Sequence, residues 1–317
     1  MTERFDWIDY LKTIGILAVI LGHTASPLGD FIYSWHMPLF FMLAGFFIKT
    51  DIPMRSFIEK DAKRLLIPYF IFAIFGVLIE AIKRVALNRE GLDYLNEAFG
   101  VFLWMDMGSL SNTYALVLWF LPVLFFARLI VYLVHEQIHK GLRPFIMLTM
   151  FYASFLVDLP FGVDNALNSV LFVYIGFLYY KNYKKARNWF ILLSIVVGGY
   201  CLFFQSLPSL DLATKTYGLV YMNVLWACSF FVLLAFIFQV IKLPMALIKL
   251  NRFWAQNTMI IFIIHPYTNN FAYIFNEKIL GASGGWQYIF SISVSCLVSL
   301  VSIKVFLERK KVIKVYV

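Results

Sequence analysis

Residues 12–23 read Lys-Thr-Ile-Gly-Ile-Leu-Ala-Val-Ile-Leu-Gly-His, an apolar run with an ionisable side chain at each end. This run lies in an apolar stretch over 7–25, and a helix needs about 20 such residues to cross a bilayer. At 100° per residue, Lys12 and His23 share one helix face, about 16 Å apart along the axis. Ionisable side chains at membrane depth are functional candidates. The alternative is that Lys12 extends to the inner interface and His23 caps the helix.

The composition extends this membrane interpretation to the whole chain. Of 317 residues, 62% are hydrophobic and 14% are charged, against about 45–50% and 25% in soluble domains. A soluble globular enzyme is therefore excluded. The chain is predicted to be a single polytopic domain over 1–317, an all-α integral membrane protein with about ten transmembrane helices. The predicted spans are 7–25, 31–48, 65–82, 114–134, 144–158, 167–180, 189–205, 218–241, 255–275 and 286–307.

The basic residues predict the orientation in the bilayer. If the N-terminus is cytoplasmic, the inner segments hold 20 of the 27 lysines and arginines and the outer segments hold five. This asymmetry follows the positive-inside rule and places both termini in the cytoplasm. It also accounts for the net charge of +9 without a nucleic-acid partner.

A second histidine is predicted to lie near the first. His36 opens span two, and Pro38 follows in the first helical turn, where its missing N–H is tolerated. Only a short turn over 25–30 separates the two spans, so His23 and His36 are expected to face each other at the outer end of a helical hairpin. The alternative for His36 is an interfacial position beside Trp35 in the aromatic belt.

Two further residues are candidates for lining a cavity. His265 lies within span nine, where Pro266 removes a backbone hydrogen bond and favours a kink. A single histidine beside a helix break is about as often structural. Tyr69 follows Pro68 at the start of span three, and its hydroxyl is able to form a hydrogen bond in a cavity.

A competing motif ends span four. His135-Glu136-Gln-Ile-His139 has the H-E-x-x-H spacing of a zinc site with a catalytic glutamate. A catalytic zinc site needs a third protein ligand, and no downstream candidate stands out. Gly141 and Pro144 also end the helix at once. The motif is therefore interpreted as a polar cap at the membrane surface, and no metal is expected.

Several sequence blocks together resemble the membrane acyltransferase-3 family, and within it the fucose 4-O-acetylase-like branch. They fall in order over about residues 5–267 and cover most of the chain. The blocks are Asp9-Tyr-Leu-Lys12, Gly22-His23, His36-Met-Pro-Leu-Phe-Phe-Met-Leu-Ala-Gly45-Phe, Lys63-Arg64-Leu-Leu-Ile-Pro68-Tyr69, Leu118-Trp119-Phe120-Leu121-Pro122 and Ile263-Ile264-His265-Pro266. Many family members carry arginine where this chain has Lys12.

The resemblance implies ten core spans in the cell inner (plasma) membrane. It also implies transfer of an acyl group, most commonly acetyl, from acyl-CoA to a hydroxyl of an envelope carbohydrate. The acceptor is a free, lipid-linked or polymeric glycan, such as lipopolysaccharide or capsule. Acetyl-CoA is then the acyl donor.

Residue types and resemblance predict one mechanism. Lys12, Lys63 and Arg64 are expected at the inner face, where they contact CoA phosphates. The thioester is expected near His23, which acts as general base on the acceptor hydroxyl or as a transient acyl carrier. His36 either orients His23 or polarises the developing oxyanion.

Two other functions compete with this one. A transporter or flippase for a lipid-linked or small polar substrate needs paired broken helices in two related halves, and the sequence offers one break, at His265-Pro266. An intramembrane metalloprotease would use His135, Glu136 and His139.

Overall fold

The computed structural model describes residues 5–24, 26–204 and 210–276, together with positions 281, 293, 294, 296, 297, 300 and 301. This part of the chain is almost entirely helical. In chain order the α-helices are α1 (Asp6–Gly22), α2 (Gly29–Tyr33), α3 (His36–Phe46), α4 (Met54–Asp61), α5 (Ile67–Ala86), α6 (Tyr94–Phe99), α7 (Phe120–Gln137), α8 (Arg143–Ala153), α9 (Val163–Phe204), α10 (Val220–Val240), α11 (Met245–Gln256) and α12 (Thr258–Phe275). Two short strands, β1 (Leu210–Asp211) and β2 (Thr216–Tyr217), pair antiparallel.

Helix lengths confirm the all-α membrane fold class, whereas the number of ten spans stays a prediction. Four segments among the described residues are long and apolar enough to cross a membrane: Met54–Ala86, Tyr114–Gln137, Pro160–Lys185 and Val220–Val240. The first three contain the predicted spans 65–82, 114–134 and 167–180, and Val220–Val240 lies within the predicted span 218–241. Five other predicted spans correspond to shorter or less apolar helices. Most of the predicted span at 286–307, 16 of its 22 residues, lies outside the described residues.

The predicted spans 167–180 and 189–205 correspond to two apolar segments, Pro160–Lys185 and Arg187–Phe203, which lie along the same helix α9. The intervening run over 181–188 is charged, and its charge marked it as an inner segment. However, this run contains neither glycine nor proline, and lysine and arginine are good helix formers. Charge therefore marked a change in hydropathy here, not a helix end.

The described helices form two compact units. The first unit combines Met1–Phe40, Asn188–Ser209 and Gly218–Val317, and the second combines Phe41–Arg187 and Leu210–Tyr217. The boundaries fall inside α3 and α9. The single domain over 1–317 stays a prediction.

Helix α1 is the central element of the first unit, where it packs against α10, α11 and α12. Its buried side chains include Leu11, Ile16 and Ile20, which are fully enclosed. Tyr10 packs on Phe238 of α10, with ring centroids 5.6 Å apart. Helix α1 is apolar and buried on most of its surface, so its packing fixes the backbone positions of Lys12 and His23.

In the second unit, α3 and α9 approach closely at two glycines. A methyl group added to Gly45 would overlap the carbonyl oxygen of Val173, and one added to Gly176 would overlap that of Met42. Small residues at a helix crossing let the two backbones come close, as is common in membrane helices.

The strand pair of the second unit is fixed by one lysine. Lys215 Nζ contacts Asp164 Oδ2 at 2.6 Å and Asp158 Oδ1 at 3.2 Å. Burial lowers the pKa of Lys215, but hydrogen bonds and charges from Asp164 and Asp158 outweigh it, and the net shift is upward. The Tyr217 hydroxyl donates to Asn168 Oδ1 over 2.7 Å, so β2 is tied to α9 by polar contacts.

Candidate active site

His23 is the first residue after α1, and its position follows from the helix end. Its backbone N–H donates to the carbonyl of Val19 over 3.2 Å, so the residue still closes the last turn. Its imidazole is exposed at this end of the helix. The predicted span ran to residue 25, whereas α1 ends at Gly22 and His23 follows it directly.

His265 lies beside His23, with ring centroids 5.1 Å apart. Its Nδ1 is 2.6 Å from the carbonyl oxygen of Phe262 on the same helix. Because a carbonyl oxygen only accepts hydrogen bonds, Nδ1 carries the proton and Nε2 presents a lone pair. His265 is fully buried, and its Nε2 has no hydrogen-bond partner among the described residues. His265, which the sequence predicted only as a possible cavity-lining residue, thus lies beside His23.

His36 is linked to the same end of α1 through Tyr33. The Tyr33 ring lies 6.2 Å from that of His23 and 5.1 Å from that of His36. His36 is buried, and its Nδ1 donates to the carbonyl of Ile32 over 2.8 Å, which leaves Nε2 as the acceptor. The predicted approach of His23 and His36 is therefore mediated by an aromatic ring, on the short helix α2 that replaces part of the predicted turn.

Asn269, one turn after His265 on α12, holds the end of α1. Its Nδ2 donates to the carbonyl of Ile20 over 3.2 Å. Ile20 lies in the last turn of α1, where carbonyl groups lack partners within the helix. No local sequence pattern marks this contact, because 249 positions separate the two residues.

Lys12, the seventh of the 17 residues of α1, lies in the N-terminal half of the helix and is half-buried. Polar contacts join this half of α1 to α11. Arg252 Nε donates to Asp6 Oδ1 over 2.9 Å, and Thr13 Oγ1 donates to the carbonyl of Asn251 over 3.2 Å. Helix α11 was not predicted, because it is amphipathic and too polar to resemble a membrane span.

Lys63 and Arg64, the other predicted phosphate contacts, belong to the second unit. They lie in a π-helical turn, Ala62–Leu66, between α4 and α5. Lys63 is exposed, whereas the Nε of Arg64 is buried without a hydrogen-bond partner among the described residues.

Tyr69 is fully buried in the second unit, and its hydroxyl donates to the carbonyl of Val101 over 3.0 Å. Val101 lies in a second π-helical turn, Gly100–Trp104. The hydroxyl therefore has a structural hydrogen bond in this conformation.

A buried ion pair that the sequence analysis did not predict lies next to Arg64 along the chain. Arg128 Nε donates to Asp61 Oδ2 over 2.7 Å, and both side chains are almost fully enclosed. The same guanidinium donates to the carbonyls of Ala44 and Phe47, where α3 ends. The only signal in the sequence was an arginine inside an apolar span, without an indication of its partner.

The H-E-x-x-H sequence does not adopt the helical arrangement of a zinc site. Helix α7 ends at Gln137 and Ile138 is extended, so His139 lies outside the helix that carries His135. The Nδ1 of His135 is 3.0 Å from Arg143 Nη1, which donates to it. No group of three potential ligands among His, Cys, Asp and Glu is found in the described part of the chain. This geometry gives the metalloprotease alternative no support.

Comparisons with known proteins agree with the residue blocks noted in the sequence. The family model of the acyltransferase domain, acyltransferase family 3, matches residues 5–304. Nodulation protein NolL of Sinorhizobium fredii is 31% identical over a region that covers 33% of this chain and 34% of NolL. The chain thus spans about a third of the length of this curated relative. No solved structure matches this chain. Because the family model covers nearly the whole chain, the protein belongs to the acyltransferase-3 family.

Proposed function

We propose that this protein transfers an acetyl group from acetyl-CoA to a hydroxyl of an envelope glycan or glycan precursor. The observation that carries the proposal is the pair of imidazoles at the end of α1, His23 and His265, with centroids 5.1 Å apart. Imidazole is the side chain most often used for proton transfer near neutral pH. Because the chain belongs to an acyltransferase family, acyl transfer is the reaction that we propose for this histidine pair.

His23 is the proposed catalytic residue. As general base, it accepts the proton of the acceptor hydroxyl while the oxygen attacks the thioester carbonyl. The carbon–sulfur bond then breaks, and the proton passes to the CoA thiolate. In the alternative route, His23 itself attacks the thioester carbonyl and CoA leaves as the thiolate. The acceptor oxygen then takes the acetyl group from the imidazole, and its proton passes to the CoA thiolate. His36, across Tyr33, orients His23 or polarises the oxyanion.

The donor is proposed to enter from the cytoplasm, where the N-terminus of α1 is expected. Lys12 would contact a CoA phosphate, and the pantetheine arm would run along α1 towards His23, about 16 Å further on. Lys63 and Arg64 remain candidate phosphate contacts on the second unit. Single Lys63→Met and Arg64→Met variants test each of them, independently of Lys12.

The proposed setting is the inner (plasma) membrane, crossed by ten spans with both termini in the cytoplasm. The acceptor is a carbohydrate in free, lipid-linked or polymeric form. A hydroxyl acceptor fits the exposed imidazole of His23, which is reachable from outside the first unit.

Mass spectrometry of envelope polysaccharide tests this function. We expect O-acetyl groups in cells that carry the gene and none in cells from which it is deleted. Restoring the gene with His23→Ala should leave the polysaccharide unacetylated, with the variant present in the membrane at the wild-type level. Identical polysaccharide in the wild-type and deleted cells would contradict the proposal.

A further inference from the structure

Two buried hydrogen-bond acceptors on α12 have no partner among the described residues. They are Nε2 of His265 and Oδ1 of Asn269. Leaving a buried polar atom unpaired is energetically unfavourable, and native proteins pair nearly all such atoms. Two of them within one helical turn call for an explanation.

The hydrogen bonds of the same side chains fix both atoms as acceptors. In His265, Nδ1 holds the proton because it donates to Phe262, which leaves a lone pair on Nε2. In Asn269, the amide nitrogen donates to Ile20, so the unpaired atom is the oxygen. Both remaining sites therefore need a hydrogen-bond donor.

The two acceptors lie on one helix face next to His23. Residues four apart on an α-helix have Cβ atoms about 5–6 Å apart. His265 borders the His23 ring at 5.1 Å, and Asn269 binds the last turn of the helix that His23 follows. A ligand that donated to both acceptors would therefore lie beside the proposed catalytic imidazole.

From this arrangement we infer that His265 Nε2 and Asn269 Oδ1 bind two neighbouring hydroxyl groups of the acceptor. The inference rests on the proposed function and specifies its substrate class, a polyol such as a sugar ring with adjacent free hydroxyls. Each acceptor would take one hydroxyl at a hydrogen-bond length of about 2.7–2.8 Å, and neighbouring hydroxyls of one ring would supply both donors. An ionised carboxylate or phosphate ester has no proton to donate and is disfavoured at this position.

With His265 and Asn269 as acceptor contacts, the donor and the acceptor are bound by different residues at different ends of α1. Charged contacts at the Lys12 end of α1 serve the donor, and uncharged acceptors at the His23 end serve the hydroxyls. Removing one neutral hydrogen bond to a substrate weakens its binding about threefold to tenfold, and it leaves donor affinity unchanged.

The experiment uses cells from which the gene is deleted, restored with His265→Ala, Asn269→Ala or wild type. Acetate released by base from envelope polysaccharide measures transfer, and titration of each purified full-length variant with acetyl-CoA measures the donor site. We expect the O-acetyl content to fall at least threefold in each variant, with acetyl-CoA affinity within twofold of wild type. Intact donor affinity also shows that the variant is folded. Asn182→Ala, which removes an exposed side-chain hydrogen bond to Leu178, is the matched control.

Conservative variants distinguish a contact with substrate from a structural role. His265→Gln places an amide oxygen near the position of Nε2, and a protonated carboxyl in Asn269→Asp is able both to donate to Ile20 and to accept. Both should retain more O-acetyl than the alanine variants. Full acetylation in both alanine variants, as expected if a resident water fills the two sites, overturns the inference. A parallel tenfold loss of acetyl-CoA affinity overturns it too, because the pair would then contact the donor. If wild-type cells have no O-acetyl groups that depend on His23, the proposed function fails first.

Discussion

Arg128 and Asp61 form a buried ion pair in which one arginine also holds the end of a helix. The guanidinium donates to both carboxylate oxygens, at 2.7 and 3.3 Å, and to the carbonyls of Ala44 and Phe47. Each side chain is about 5% exposed. The pair thus joins α7 to the end of α4 and to the residues where α3 ends.

Removing either member of this pair should destabilise the protein strongly. Arg128→Met leaves the buried Asp61 carboxylate without its ion-pair partner and removes a donor from the carbonyls of Ala44 and Phe47, and breaking such a pair costs about 3–5 kcal/mol. Loss of monodisperse protein on heating in detergent, compared with wild type, measures the effect. The exposed pair Arg55–Glu59, 3.0 Å apart, is the control, because exposed pairs contribute about 0–1 kcal/mol. Equal midpoints for Arg128→Met and Arg55→Met would contradict this assignment.

The crossing of α3 and α9 should tolerate no added methyl group. Gly45→Ala and Gly176→Ala each push a carbon atom into a backbone carbonyl of the other helix, and overpacking of this kind costs about 1–3 kcal/mol. Both variants should unfold at a lower temperature than wild type in detergent. Gly199→Ala is the control, because an added methyl at that helical position meets no atom within 4 Å. Wild-type stability in both crossing variants would show that the helices move apart freely.

Local pattern predicted the elements of the site better than its long-range contacts. Helix periodicity and a short turn were enough to bring His23 and His36 to one end of the first helix. The same pattern left His265 undecided, because its neighbour lies more than 200 positions away. Asn269 was missed for the same reason, since nothing near it in the sequence marks a contact with Ile20.

Hydropathy identified apolar segments but not where helices end. It divided α9 correctly into two apolar segments, but the charged run between them is still helical, because charge and helix termination are different properties. It also missed α11, whose polar and apolar residues alternate at helical spacing, so that no long apolar run is formed. The Asp61–Arg128 pair has no periodic signature at all, and only tertiary packing brings its two members together.

The orientation in the membrane is open to a direct test. A reporter fused after Arg187 should report the cytoplasm, and one within residues 90–110 the exterior, because basic residues accumulate on the inner side. Since α9 is helical through Arg187, the first fusion also tests whether this basic stretch lies at the inner surface. An external signal after Arg187 would reverse the orientation and with it the cytoplasmic entry of the donor.

Variants of His23 should differ in activity from variants of His135 and His139. His23→Ala should reduce acetyl transfer by about 10²–10⁴-fold, the usual contribution of a general base, with unchanged amounts in the membrane. The double variant His135→Ala with His139→Ala should keep most activity, because these side chains contact Arg143 and Gly141 at the end of α7. Transfer from radiolabelled acetyl-CoA into envelope polysaccharide measures both. An active His23→Ala protein beside an inactive, folded double variant would reverse the assignment.

The path of the donor along α1 depends on the charge of Lys12. Lys12→Met keeps the apolar stem and removes the charge, so acetyl-CoA binding should weaken while acceptor binding changes little. Loss of one charged hydrogen bond costs about 1.5–3 kcal/mol, which is one to two orders of magnitude in affinity. Lys12→Arg keeps the charge and should retain substantial activity. Titration of the purified proteins with acetyl-CoA measures the difference, with Lys249→Met, an exposed lysine on α11, as control for a general loss of charge. Equal donor affinities for Lys12→Met and wild type would make Lys12 an interfacial anchor and leave His23 without a donor contact on the same helix.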